Sequence, residues 1–297
     1  MLFNVCALYI KIMNNENQTI HKSDDNLTIY GWNEKLNQLK QESIYSALAH
    51  GRVSIVHRTC YEVISGNGLF QCELTGNMMY GKSDDELPCT GDWVIFQPFD
   101  EHKGIIVDSL PRERTLYRKK SGTVADKQAI ASYVDKAFIV QSLDDNFNVR
   151  RVERFMVQIM EENISSVLVL NKADLDFDRQ SVEEQIKHIS SQIPVFFTSI
   201  HQLETIVRLR KSISEGETVV FVGSSGVGKS SLVNALCEKP VLLTSDISLS
   251  TGKGRHTSTR REMVLMDSSG VLIDTPGVRE FGLAIDNPDS LAEVLEI

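Results

Sequence analysis

The stretch Val167-Leu168-Val169-Leu170-Asn171-Lys172-Ala173-Asp174-Leu175-Asp176 reads as a short apolar strand running into an N-K-A-D tetrapeptide. A carboxylate at the Asp174 position can accept two charge-assisted hydrogen bonds, from the N1–H and the N2 amino group of guanine. Adenine offers neither donor at that edge, so an adenine complex would leave the acceptors unpaired. Asn171 suits the base edge and the bracing of neighbouring loops, the Lys172 stem can cover the base face, and Ala173 lies between them. A second apolar strand, Val195-Phe-Phe, ends at Thr198-Ser199, where Ser199 can face the O6 side of the same base. Ile200-His201 follows in place of a common Ala-Lys.

A base reader needs a phosphate site, and it lies downstream. Gly223-Ser224-Ser225-Gly226-Val227-Gly228-Lys229-Ser230 matches G-x-x-x-x-G-K-[ST] in full, and Ser231 continues it. The strand-like TVVFV precedes it and the helix-like SLVNALC follows, the context that such a loop requires. The glycines let backbone N–H groups approach phosphate, and the helix N-terminus adds a favourable dipole. Lys229 supplies a point charge beside the β and γ phosphates, and the Ser230 hydroxyl suits Mg²⁺.

Farther on, Asp274-Thr275-Pro276-Gly277 ends the strand-like VLI. Asp274 fits a Mg²⁺ contact through water, and the Gly277 N–H can meet the γ-phosphate. Between the two lies GKGRHTSTRRE, which has no apolar periodicity and reads as a loop. Thr257, Ser258 and Thr259 are the candidates to complete the Mg²⁺ shell. Val278 stands where small GTPases often carry a water-orienting Gln, and an isopropyl group cannot orient water. His256 is therefore the candidate catalytic residue.

Residues 1–47 open polar and Asn-rich after an apolar start, and are expected to be an extension ending in a helix; the start lacks a signal-peptide cleavage pattern. From Gly51, RVSIVHR, YEVIS, LFQCELT, GDWVIF and GIIVDSL are β-type runs separated by turn residues, with no helices between them. They predict a small β-barrel over 48–112, of oligonucleotide-binding (OB) or SH3-like type. From 113 to 285 apolar strands alternate with helical segments, which predicts a mostly parallel sheet covered on both faces. Residues 286–297 begin a further C-terminal element.

The net charge of −9 excludes a general nucleic-acid sponge. A local strip, Arg112, Arg114, Arg118, Lys119 and Lys120, is basic enough to hold RNA phosphates. The five cysteines are odd in number and scattered, with no C-x-x-C pair, which argues against a disulfide framework or a zinc site. Reduced thiols in a cytoplasmic protein follow. No apolar run is long enough to span a bilayer.

The order N-K-A-D, T-S, G-S-S-G-V-G-K-S, G-R-H-T, D-T-P-G resembles the circularly permuted GTPases. SLDDNFNVRRVERF, GSSGVGKSSLVNAL, GKGRHTSTRRE and DTPGVREFGL narrow the likeness to ribosome small-subunit-dependent GTPase A, the RsgA/YjeQ family. The resemblance implies a P-loop α/β domain with permuted motif order behind an OB-fold barrel. It also implies slow GTP hydrolysis to GDP and phosphate, stimulated by the small ribosomal subunit, as a switch in that subunit's late maturation. GTP or GDP, Mg²⁺ and rRNA are the implied ligands, His256 the implied catalytic residue, and a monomer the expected state. The family's C-terminal zinc domain, and the Zn²⁺ it implies, is expected to be either truncated or lost here, because the sequence stops at SLAEVLEI without a Cys/His cluster. The competing readings are a GTP-dependent RNA-binding module with negligible hydrolysis, or a P-loop ATPase or kinase of another class.

Overall fold

The structure is a computed structural model that describes residues 25–83, 85–119, 127–238, 262–266 and 269–274. Two short helices, α1 (Asp25–Thr28) and α2 (Glu34–Glu42), lead into the first strand. Asn33 caps α2, its side chain accepting the Leu36 N–H at 3.1 Å. The helix stops at Glu42, short of the segment that the sequence pattern suggested, and turns carry the chain to β1.

Strands β1 (Ala49–Val56), β2 (Tyr61–Ser65), β3 (Gly68–Leu74), β4 (Trp93–Asp100) and β5 (Lys103–Ser109) are the five runs expected from the sequence. They pair in the order β1-β2-β3-β5-β4, and β4 returns to β1 to close the ring. The β3–β5 pairing is parallel and the others are antiparallel. A helix, α3 (Gly76–Gly81), lies between β3 and β4. This closed five-stranded connectivity is the OB arrangement, which settles the barrel type. Val53, Val63, Phe70, Cys72, Val94, Phe96 and Ile106 fill its interior.

A hairpin of β6 (Leu116–Lys119) and β7 (Lys127–Ala131) follows, and the basic strip is partly strand. Then come β8 (Lys136–Ser142), α4 (Val149–Glu161), β9 (Ser165–Asn171), α5 (Arg179–Gln185), α6 (Lys187–Ser190), β10 (Val195–Thr198) and α7 (Leu203–Lys211). The order closes with β11 (Thr218–Val222), α8 (Lys229–Leu236), β12 (Glu262–Met266) and β13 (Ser269–Asp274). The order across the sheet is β10-β9-β8-β11-β13-β12, parallel except for β12.

The strands are apolar on both faces because both are covered. Val152, Phe155, Met156 and Ile159 of α4 pack with Val182, Ile186 and Ile189 of the α5–α6 segment on one side. Ile206 and Leu209 of α7 pack with Leu232, Val233 and Leu236 of α8 on the other. Each large aliphatic side chain so buried stabilises the fold by about 1.5–3 kcal/mol. The chain runs β8→β9→β10 in one direction, then returns to set β11 on the far side of β8. The strand order therefore reverses between β8 and β11, and ligands bind outside the carboxyl ends of strands at such a reversal.

Barrel and sheet meet at Arg52, which is 1 % exposed. Its guanidinium donates to the Gly91 carbonyl at 3.0 Å, the Thr218 hydroxyl at 2.9 Å, the Tyr133 carbonyl at 3.4 Å and the Tyr30 carbonyl. It lies over the Trp93 ring, 5.5 Å from the centroid. Burial pulls its pKa down to about 10, with Asp135 and Asp92 opposing, so it stays cationic at neutral pH. One side chain thus ties the N-terminal segment, the barrel and the first residue of β11.

Candidate nucleotide site

Ser142, Asn171 and Thr198 are cross-strand partners in β8, β9 and β10, so three parallel strands end level with one another. The turn after β9 begins at Lys172, which takes a left-handed φ of 61°. The Ala173 N–H donates to the Thr198 carbonyl at 3.0 Å and the Leu143 N–H to the Asn171 carbonyl at 2.9 Å. These bonds hold the N-K-A-D tetrapeptide between its neighbours. Asp174 is exposed at the rim, and its carboxyl is held below the usual range, mainly by the nearby Ser199 hydroxyl. Ser199 is fully buried; its N–H donates to the Thr205 hydroxyl at 3.0 Å, which anchors that turn to α7.

Asn171 turns toward the phosphate loop. Its Nδ2 donates to the Val227 carbonyl at 2.8 Å, and its Oδ1 accepts the Thr198 hydroxyl at 3.3 Å. Elements far apart in sequence are thereby fastened together. The loop's glycines are required by that closeness. A Cβ on Gly228, at φ 92°, would stand 2.3 Å from Asn171 Nδ2, and one on Gly223 would stand 2.4 Å from the Val140 carbonyl oxygen. Val227 is fully buried, whereas Ser225 and Gly226 are exposed at the loop's mouth. Lys229 Nζ donates to the Gly223 and Ser224 carbonyls, both at 2.7 Å. The Ser230 hydroxyl is partly exposed in the first turn of α8, beside Ser231.

Two neighbours of this site were not singled out from the sequence. Asp144 receives the Lys172 ammonium at 2.7 Å, the Ser142 hydroxyl at 2.7 Å and the Asn146 N–H at 3.0 Å. Burial acts to raise its pKa, but those three donors outweigh it and hold the carboxyl at about 2. Arg151 of α4 reaches the Ser224 hydroxyl at 3.0 Å. Both belong to SLDDNFNVRR; its composition carried no sign that it would fold against a loop so far along the chain.

The basic strip does not form a row of available cations. Arg112 makes a bidentate pair with the fully buried Asp92, 2.7–3.0 Å, and donates to the Asp85 and Leu87 carbonyls. Its donors are engaged within the barrel. Arg114 pairs with Asp135 at 3.0 Å and Glu113 at 3.3 Å, and Arg118 donates to Gln128 at 2.9 and 3.1 Å. Lys120, His256, Thr257, Ser258 and Gly277 lie outside the described residues, as do the side chains of Lys119 and Asp274. Among the described residues, no three His, Cys, Asp or Glu side chains cluster to hold a metal, and no helix is long and apolar enough to cross a membrane.

Residues 109–284 match the family model described as RsgA GTPase. The chain belongs to the RsgA GTPase family. One relative is the small ribosomal subunit biogenesis GTPase RsgA 1 of Bacteroides thetaiotaomicron, 73% identical over 285 residues, 96% of this chain and 78% of the relative. The crystal structure of YjeQ from Thermotoga maritima superposes with a TM-score of 0.61 at 25% identity, covering 79% of this chain and 77% of YjeQ. YloQ, a circularly permuted GTPase, shares the fold, with a TM-score of 0.61 at 20% identity over 86% of this chain and 80% of YloQ. Membership of a GTPase family implies Mg²⁺ use. The chain is a GTPase.

Proposed function

We propose that this GTPase acts as a switch in the late maturation of the small ribosomal subunit, with that subunit and its rRNA stimulating hydrolysis. The observation that supports the nucleotide assignment is the Asn171–Val227 hydrogen bond, which joins the N-K-A-D turn to the glycine-rich loop. Asp174, flanked by Ser199, reads the base, and the Lys172 stem covers the base face. Residues Gly223–Ser231 wrap the phosphates. The relative from B. thetaiotaomicron supplies the ribosomal context through its name.

Ser230 fits Mg²⁺: its hard hydroxyl oxygen follows the loop lysine directly, and it makes no side-chain hydrogen bond among the described residues. Thr257, Ser258 and Asp274, the last through water, complete the proposed shell. The ion would neutralise charge on the β and γ oxygens. Gly277 is assigned to the γ-phosphate and His256 to the attacking water, since Val278 cannot orient it. The basic strip, Arg112, Arg114, Arg118, Lys119 and Lys120, is assigned to RNA phosphates. We take 48–112 as the barrel domain, 113–285 as the GTPase domain, and the cytoplasm as the place of action, as a monomer.

The test is nucleotide choice and turnover. Asp174→Asn should lose GTP and gain xanthosine triphosphate, because the new amide donates where guanine's N2 amino group donated. Added small subunits should raise GTP turnover in the wild type and not in His256→Ala. Indifference to Asp174→Asn would return the site to another class of P-loop protein. An absence of hydrolysis with subunits present would make it a GTP-dependent binding module.

A further inference from the structure

Arg151 stands in an unfavourable place. It occupies the first turn of α4, where its own N–H is capped by Asn148 Oδ1 at 3.1 Å. That turn holds Arg150 and Arg151 and no acidic residue. A helix N-terminus carries positive partial charge, so a cation there is disfavoured by about 0.3–1 kcal/mol. The side chain is partly buried, and its hydrogen-bond partners among the described residues are neutral: the Ser224 hydroxyl at 3.0 Å and the Asn146 carbonyl at 3.4 Å. Among the described residues no carboxylate lies within ion-pair distance of it. Desolvation, a like-signed dipole and, among the described residues, the lack of a counter-charge all oppose this placement. An anion held in the loop would supply the counter-charge and offset the other two.

The position suits such an anion. α4 begins just past the carboxyl end of β8, at the strand reversal, and Ser224 is the second residue of the phosphate loop. We propose that Arg151 is a catalytic cation of the nucleotide site, supplied by this chain itself, whose guanidinium bonds the terminal phosphate of GTP as its bond to GDP breaks. This rests on the GTPase reading above. In the reaction, water forms a bond to the γ phosphorus while the bond to the β–γ bridging oxygen breaks. The electron pair stays on GDP and the water's proton leaves with phosphate or solvent. Negative charge grows on the bridging oxygen as that bond breaks, so a fixed guanidinium beside the transferred phosphate gains more from the transition state than from bound GTP, and GDP lacks the terminal phosphate that it bonds. Arginine meets phosphate with two parallel donors, and lysine offers only a point charge.

The alternative is that Arg151 only braces the loop through Ser224. Single-turnover hydrolysis of GTP with Mg²⁺, alongside GDP affinity, separates the two for wild type, Arg151→Gln, Arg151→Lys, Ser224→Ala and the double variant. The expected result is a rate loss of at least about tenfold in Arg151→Gln. GDP affinity should hold within about threefold, which also reports an intact fold. Arg151→Lys should fall between, and Arg151→Gln should lose as much rate in the Ser224→Ala background as in the wild type. An unchanged rate, a parallel fall in rate and GDP affinity, or no further loss in the Ser224→Ala background would overturn the proposal. Failure of the wild type itself to bind and hydrolyse GTP would instead overturn the functional reading beneath it.

Discussion

Asn171 is an informative residue to remove, because it does two jobs that can be measured separately. Asn171→Ala deletes the donor to the Val227 carbonyl, 2.8 Å away, and the acceptor of the Thr198 hydroxyl, 3.3 Å away. Asn171 is 3 % exposed, and Val227 and Thr198 are fully buried, so water does not readily replace the lost partner. An unsatisfied buried polar group costs about 1–3 kcal/mol. The Val227 carbonyl bears that in full, and the Thr198 hydroxyl, whose bond is longer, bears less. The nucleotide-free protein should therefore lose about 2–4 kcal/mol, a large part of the ~5–15 kcal/mol typical of a domain. The loss should appear as a lower urea midpoint with an unchanged slope. Asp174→Ala is the natural contrast, since Asp174 is exposed and the same melt should barely move while guanine binding is lost. If Asn171→Ala also leaves the nucleotide-free melt within about 0.5 kcal/mol of wild type, Asn171 is a base contact only and the brace is wrong.

Arg52→Met should destabilise the chain by about 3–5 kcal/mol, because the carbonyls of Gly91, Tyr30 and Tyr133 and the Thr218 hydroxyl lose their shared donor. Thermal unfolding followed at separate barrel and sheet probes should show the single transition splitting, whereas coincident, unshifted transitions would deny Arg52 that coupling role. For Asp144, the folded-state pKa is depressed from 3.8 to about 2, so its stabilisation is present above pH ~4 and is lost as pH falls toward 2. The wild type should exceed Asp144→Asn in stability by no more than about 1 kcal/mol at pH 7, since the Lys172 partner is partly in solvent. That gap should shrink by pH 3, and a gap that widens on acidification would show the sign to be wrong.

The local chemistry of the site was legible along the chain. N-K-A-D, the glycine-rich loop and the strand before each are short-range patterns, and short-range backbone geometry is what such residues specify. The five barrel strands were visible for the same reason, as were the helices and parallel strands that follow them. Arg112 shows where this kind of reading stops. Its neighbours in sequence are basic, yet it folds onto Asp92, and whether a cation meets solvent or a buried carboxylate depends on a contact across the chain. The β6–β7 hairpin was missed likewise, because its pairing partner follows a separate segment.

From the sequence by itself follow the nucleotide class, the permuted order of motifs, and the division into a β-rich part and an α/β part. Each rests on residues within a few positions of one another. Only the tertiary structure decided the OB connectivity, through the parallel β3–β5 pairing and the return of β4 to β1. It alone brought Asn171 onto Val227, Lys172 onto Asp144 and Arg151 onto Ser224. The physical reason is that a parallel sheet aligns the ends of strands that are distant in sequence. Side chains bond according to where those ends lie, whatever the order in which the chain visits them.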